Sequence, residues 1–552
     1  MDSAASRRRI AQSAARRASY QKGPGPAAAP RLVIPVLLAG AALLRVAWWH
    51  WYVRVIENEG VEYVRLAWNW FHGHGYVSTF GGRHTLNPPL YPILIGLTTP
   101  LTGNGEAAAR LVSLAAGLLL VWVVYRLGCR LFDPTVAAIA GIITAIHPVL
   151  IALSVSTYVE AVYVPLAASA ILAVVACLDH ASWSRAALAG ALVAAAHLCR
   201  PEGLGMAPLL AAVLGVAYWR RGQVKLGLTQ AGALVTVCLL VAAPNTIWLS
   251  SQAGAFRWEG KSGYNSLVTE RMRAGMSLWE ATRGLDSLAA PAGAFLFRDQ
   301  VELLRRDAGG IGATLSALMV APVRRTGMVL RGMARPWLGG IVILLLASVG
   351  LVMTGWWRTG LARMAAVLTL PVLSATALLT LDWYWGRYFL ALLPSLILLA
   401  SAGAAWIAQW SRLVALGLLL IPLLRSAQRL PRLFDLAQTR DVEMRVTGEW
   451  IRKDFPEREP TLSRPLIMGL RLAPIHYAGG EVVYLPWAEE ARALQFIQRV
   501  GPDYIVLHDG EVNQVPYGSK WFTEGISATC AEPVALPAGA ERHRVWRWTC
   551  KQ

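Results

Sequence analysis

The chain has 552 residues, of which 55% are hydrophobic and only 15% charged, with a mean hydropathy of +0.44. Soluble proteins carry about 25% charged residues, so this composition excludes a soluble cytosolic enzyme. Fifty-two Lys and Arg against 33 Asp and Glu give a net charge of +19, yet residues 426–552 hold 16 of each sign. The surplus therefore lies among the apolar runs of residues 1–425, which fits basic loop ends on a membrane protein rather than a nucleic-acid surface.

The basic N-terminal tail, residues 1–31, leads into an apolar run at 32–52 that has no small-residue cleavage site, and this run reads as an uncleaved first transmembrane helix. Runs long enough to cross about 30 Å of hydrocarbon follow near 107–127, 134–153, 158–178, 186–200, 203–219, 226–249, 337–355, 362–381, 388–409 and 411–425. With the N-terminus inside, the short cytoplasmic connections carry Arg126, Arg130, Arg185, Arg220, Arg221, Lys225, Arg358, Arg363 and Arg412, in agreement with the positive-inside rule. This reading gives a polytopic α-helical membrane protein with eleven spans, Met1 inside and Gln552 outside. Its transmembrane part is 32–425, with external segments at 53–106 and 250–336.

Residues 426–552 read as a small external α/β domain. PLIMGL (465–470), EVVYLPW (481–487) and DYIVLHD (503–509) are strand-like runs between helical patterns, and RVWRWTC (544–550) alternates like an edge strand. Of six cysteines, Cys129, Cys177, Cys199 and Cys238 lie in or beside apolar runs and read as small buried hydrophobes. Cys530 and Cys550 both fall in the charged domain, where an oxidising compartment lets them form one bridge.

The first external segment opens with ENEGVEYVRLAWNWFHGHGY (57–76), followed by NPPLYP (87–92), which contains Tyr91. Glu59 and Glu62 are one helical turn apart and share a face, beside Tyr63. Acids at a helix start are commonly dipole partners, and acids at a membrane boundary can equally act as general bases; spacing leaves both readings open. Further along, Glu160, Arg200, Glu202 and Arg387 all fall on the outer side of their spans. Ionisable groups at membrane depth are costly and point to function, and an arginine fork suits phosphate. The bland alternatives are an interfacial anchor for Arg387 with Tyr388, an ion pair between Arg200 and Glu202, and a hydrogen-bonded structural role for His147. Residues 250–336 carry 12 basic and 7 acidic residues and read either as a solvated cap or as a lid on the outer leaflet. Trp68, Trp70 and Trp258 stand where an acceptor sugar can stack.

In order along the chain, EGxEYxxLAxNxxxGxGY, PPLYP, AIHP (145–148), YVEAVY (158–163), LCRPEG (198–203) and GRYFLALLP (386–394) resemble the bacterial lipid-linked-sugar glycosyltransferases of the GT-C fold. The nearest resemblance is to glycosyltransferase family 39, over roughly residues 32–425. It implies a polyprenyl-phosphate (or diphosphate) sugar donor, inversion at the anomeric carbon, and transfer to a hydroxyl or amine on a glycolipid, glycan or protein at the outer face of the inner membrane. It carries the acidic catalytic role to Glu59, four residues before Tyr63, with Glu57 and Glu62 as alternatives because Gly60 replaces the second acid of the usual pair. Arg200, Arg387 and Tyr388 are then expected at the donor phosphate, and Glu160, Glu202, Tyr63, His147 and Tyr91 at substrate. A divalent ion on Glu59 or Glu160 is left open, and no nucleic-acid partner is expected. The rival class is a flippase or transporter of lipid-linked sugars, for which inverted repeats and broken helices at midplane are the marks.

Overall fold

The computed structural model describes residues 32–285, 293–306, 322–335, 338–353, 360–379, 386–433, 441–458 and 464–550. The basic tail and parts of the 250–336 segment lie outside the described residues. Among those described, seven helices are long and apolar enough to cross a membrane: Val33–Tyr52, Gly105–Leu131, Glu160–Asp179, Pro201–Trp219, Val224–Ala253, Gly386–Ile407 and Arg412–Leu430. The remaining expected spans also contain helices, at Pro134–Ile146, Trp183–His197, Gly340–Met353 and Leu361–Leu379.

Local chemistry sets the boundaries. Asn104 caps Gly105–Leu131 by accepting from the backbone N–H of Glu106 at 2.7 Å, and Asp133 caps Pro134–Ile146 by accepting from Thr135 N–H at 2.7 Å. The run expected at 134–153 is broken at His147–Pro148, because proline cannot donate to the helix ladder and repels the preceding turn. Arg45, wholly buried on the first span, repairs that break. Its guanidinium donates to the carbonyls of Ala145 at 2.9 Å and Thr144 at 3.3 Å, and to Ser154 Oγ at 3.0 Å. An intramembrane arginine is tolerated here because it satisfies carbonyls that hydrocarbon cannot. At the opposite boundary Asp179 accepts from Arg130 and Arg363, each at 2.6 Å, and ties three helices together. One helix was not expected from the sequence: Leu90–Thr102, which starts within the PPLYP motif and ends at Gly103.

The C-terminal domain is a five-stranded sheet in the order β2-β1-β3-β5-β4, where β1 is Leu466–Gly469, β2 Glu481–Tyr484, β3 Tyr504–His508, β4 Ala531–Pro533 and β5 His543–Trp548. The first three strands pair in parallel, and β5 runs antiparallel to both β3 and β4. The alternation of β5 reflects one buried face and not an edge position, since β4 covers its outer side. Cys530 and Cys550 are joined by a disulfide with Cα atoms 5.2 Å apart, so it ties the residue before β4 to the chain just beyond β5. The crosslink closes a loop over a separation of 20 residues, for which chain entropy gives a stabilisation of about 3 kcal/mol. Reduction is expected to lower the unfolding temperature of the domain, as read by differential scanning calorimetry with and without reductant; an unchanged transition would contradict a stabilising bond.

The domain is docked on the segment that follows the first span. The N–H of Val482 on β2 donates to Thr79 O at 3.0 Å, Arg65 donates to Gly480 O at 2.7 Å, and Leu472 N–H donates to Asn58 Oδ1 at 3.1 Å. On its other flank, Trp487 N–H donates to Arg283 O at 2.9 Å.

Candidate active site

The helix Asn58–Phe71 begins just beyond the first span and buries Val61, Leu66 and Ala67. Glu59, in its first turn, forms an ion pair with Arg387 in the 3-10 turn Gly386–Leu392. Arg387 Nε lies 3.6 Å from Glu160 Oε1, which is also paired with Arg200; Arg200 is in turn paired with Glu202. Five of the residues expected from the sequence thus form one chain of alternating charge, Glu59–Arg387–Glu160–Arg200–Glu202, drawn from four separate segments. Tyr388 lies between the two arginines, its ring centre 4.9 Å from the Arg200 guanidinium and 5.9 Å from that of Arg387. Tyr158 and Tyr163 add further faces, at 4.8 Å from Arg387 and 5.9 Å from Arg200. Aromatic faces hold planar cations while leaving their N–H edges able to donate.

The three first-segment acids separate by environment. The Glu57 side chain is 5% exposed, accepts from Thr157 Oγ1 at 2.6 Å and lies 3.6 Å from Arg110. Glu62 is 8% exposed, accepts from Thr79 N–H at 3.1 Å and lies 3.1 Å from His84 Nδ1. Glu59 is 42% exposed. Burial pushes its carboxyl up, but the Arg387 charge and hydrogen bond, backed by Lys261 and Arg200, more than reverse this and hold it below the usual carboxylate range. Glu59 is therefore ionised and accessible, whereas Glu57 and Glu62 are committed to holding backbone.

Lys261 was not singled out in the sequence. It follows Trp258 in the segment beyond Val224–Ala253, and it interacts electrostatically with Glu59, Glu202, Arg200 and Arg387. Its ammonium is lowered by burial and by Arg200, against the attraction of Glu59. Glu259 fixes the turn by accepting from the N–H groups of Lys261 at 2.6 Å and Ser262 at 2.8 Å. A side chain at Gly260 would put Cβ 1.7 Å from Thr85 O, so only glycine lets this turn lie against the first segment. A WEGK turn in a basic loop was the available signal.

Residues 86–248 match the family described as dolichyl-phosphate-mannose-protein mannosyltransferase. The oligosaccharyltransferase of Archaeoglobus fulgidus, solved with a tethered acceptor peptide, superposes with a TM-score of 0.57 at 12% identity, covering 90% of this chain and 71% of that one. This likeness shows a GT-C fold. The same archaeal enzyme in complex with an inhibitory peptide and a dolichol-phosphate gives a TM-score of 0.54 at 13% identity, over 94% and 74% of the two chains. ArnT from Cupriavidus metallidurans bound to undecaprenyl phosphate covers 94% of this chain and 98% of its own at 17% identity, with a TM-score of 0.44. No curated protein sequence matches.

In this GT-C fold the other expected site residues fall in different places. Tyr63 is buried behind Glu59, with its ring edge-on to Tyr91 at 5.1 Å; burial, with Glu59 and Glu160, pushes its phenol well above its ordinary value and keeps it neutral. Tyr91, expected at substrate, is fully buried instead. Its hydroxyl is shared between Ser113 Oγ at 3.0 Å and Ala109 O at 3.3 Å, because the PPLYP segment forms a helix that packs on Gly105–Leu131. His147 also departs from expectation: it lines an apolar cavity with Ile143, Ile343, Ile397 and Pro422, none of which belongs to the charge cluster. Trp68 is stacked with His72 at 4.3 Å and carries Arg464 at 4.6 Å over its ring, so its faces are already occupied. No group of three or more His, Cys, Asp or Glu side chains among the described residues converges to hold a metal. Glu59 and Glu160 are both paired with arginines, and Lys261 adds a third cation, so the residues present do not fit a divalent ion.

Proposed function

We propose that this protein is a glycosyltransferase that moves a sugar from a polyprenyl-phosphate carrier to an acceptor hydroxyl or amine at the outer face of a bacterial inner membrane, with inversion. The observation that carries this reading is one exposed carboxylate, Glu59, set against a cluster of three cations, Arg387, Arg200 and Lys261. In the reaction, the acceptor heteroatom attacks the anomeric carbon opposite the phosphate, the carbon–oxygen bond to phosphate breaks, and the bonding pair leaves on phosphate oxygen. Glu59 takes the acceptor proton, and the cations stabilise the phosphate that departs. The acceptor is a glycolipid, glycan or protein.

The transfer is assigned to the outer face because the basic short loops place the N-terminus inside. The disulfide of the C-terminal domain agrees with an oxidising compartment on that side. The bounds 32–425 for the transmembrane part and 426–552 for the external domain belong to the same proposal. Nothing favours the transporter: the one arginine buried in the first span, Arg45, is occupied with helix carbonyls.

Mass spectrometry of lipid copurifying with the protein tests the donor class. Polyprenyl phosphate, with or without its sugar, is expected; recovery of membrane phospholipid alone, even after incubation with added polyprenyl phosphate, would remove the donor assignment.

A further inference from the structure

We infer that the C-terminal domain holds Glu59 in its working position, with the Tyr477 hydroxyl as the joint; this rests on the reading of Glu59 as the base. Glu59 follows a short linker between the first span and the helix Asn58–Phe71, in which Val55 and Ile56 are buried in the core. Its backbone and polar groups are taken up one after another. Ile56 N–H donates to Tyr477 Oη at 3.0 Å, and Asn58 Oδ1 accepts from Leu472 N–H at 3.1 Å. Both partners belong to the segment at Ala473–Ala478 and the residue before it, inside the C-terminal domain.

Tyr477 is saturated. Besides Ile56 it accepts from Arg445 at 3.2 Å and donates to Glu106 Oε2 at 2.9 Å, which uses both lone pairs and the single proton of a phenol. Glu106 passes the connection on. Its other oxygen accepts from Arg110 at 2.9 Å, and Arg110 donates to Val55 O at 3.0 Å and Val155 O at 2.7 Å while lying 3.6 Å from Glu57. Residues 55, 56, 57 and 58 therefore each have a fixed partner. On the far side, a side chain at Gly60 would put Cβ 1.7 Å from Thr157 Oγ1, so the helix start is pressed against that turn. Glu59 alone in this stretch has its carboxylate turned to the cations.

The donor-side groups Arg200, Arg387 and Lys261 have no contact with Tyr477 or Leu472 in this network. Tyr477 is thus a positioning residue for the base and not for the donor. Buried polar networks of this kind fix one geometry because each member is satisfied only there. Displacement of a reacting group by about 1 Å can cost about 10²-fold in rate.

The test compares Tyr477→Phe and Asn58→Ala with the unaltered protein, Glu481→Gln serving as a docking control away from the linker. Donor lipid binding is titrated first, and turnover is then expressed per donor-binding site. Both variants are expected to lose about tenfold or more in turnover per site, with donor affinity within about twofold; Glu481→Gln should retain turnover. A fall in the number of sites with normal turnover per remaining site would overturn the inference, because it would mark a purely structural role. Full turnover per site in both variants would overturn it equally. Glu59→Gln in the same assay separates the two levels: if it keeps full turnover, the base assignment fails and takes the inference with it, whereas its loss beside active Tyr477→Phe and Asn58→Ala removes the inference alone.

Discussion

Replacing Glu59 by glutamine is expected to lower turnover by about 10²–10⁴-fold while donor lipid still binds, the range typical of a lost general base. Glutamine keeps the size and one hydrogen-bonding oxygen but accepts no proton from the acceptor. The neighbouring acids give the contrast. Glu57→Gln and Glu62→Gln each remove a charge that holds backbone, through Thr157 and Thr79, so they should reduce the yield of folded protein more than turnover per folded molecule. Measuring turnover against bound donor resolves this; activity retained in Glu59→Gln and lost in one of the others would move the base to that residue.

Arg387→Ala is expected to have the second large effect, on two observables at once. Donor affinity should fall, since a guanidinium donates two parallel hydrogen bonds to phosphate, and Arg387→Lys should restore it only in part. The pH profile should also move. In the unaltered protein Glu59 is held below the usual carboxylate range by Arg387, so it remains ionised and kcat/KM should hold down to acidic pH. Removing Arg387 takes away the largest opposition to burial and leaves only Lys261 and Arg200 against it, so the acid limb should shift to higher pH. A weaker donor affinity with an unmoved acid limb would show that Arg387 serves the phosphate but does not govern Glu59. The ion pair implies an exchange of partners in turnover: phosphate entering at Arg387 loosens its hold on Glu59 and makes the carboxylate a better base as the donor arrives.

The spans were legible because hydrocarbon thickness demands long apolar runs, and each expected run contains a helix among the described residues. The break at His147–Pro148 was not placed, since a proline after an apolar run is compatible with both a kink and a stop. The companion of that break, Arg45, was invisible because an arginine among leucines gives no sign of which carbonyls it will meet. Glu59, Glu160, Arg200, Glu202 and Arg387 were named from motifs, but the pairing of Glu59 with Arg387 spans 328 positions and no local spacing encodes it. Tyr91 and His147 were expected at substrate, but Tyr91 is buried against Gly105–Leu131 and His147 lines an apolar cavity, because a motif does not say which way its side chain packs. Lys261 was missed because its role depends on a turn folding back over the first segment. The strand β4 was missed as well, since three residues ending in proline carry no period.

The docking of β2 on the segment after the first span has a consequence for handling the molecule. Strand edges are templates for self-association unless something covers them. Here β4 closes one side of the sheet with three residues ending at Pro533, while the other side, β2, is met by Thr79 through the Val482 N–H. The membrane half of the chain therefore shields its own soluble domain against aggregation, and a fragment cut free at residue 441 would carry a bare, sticky edge in place of that cover.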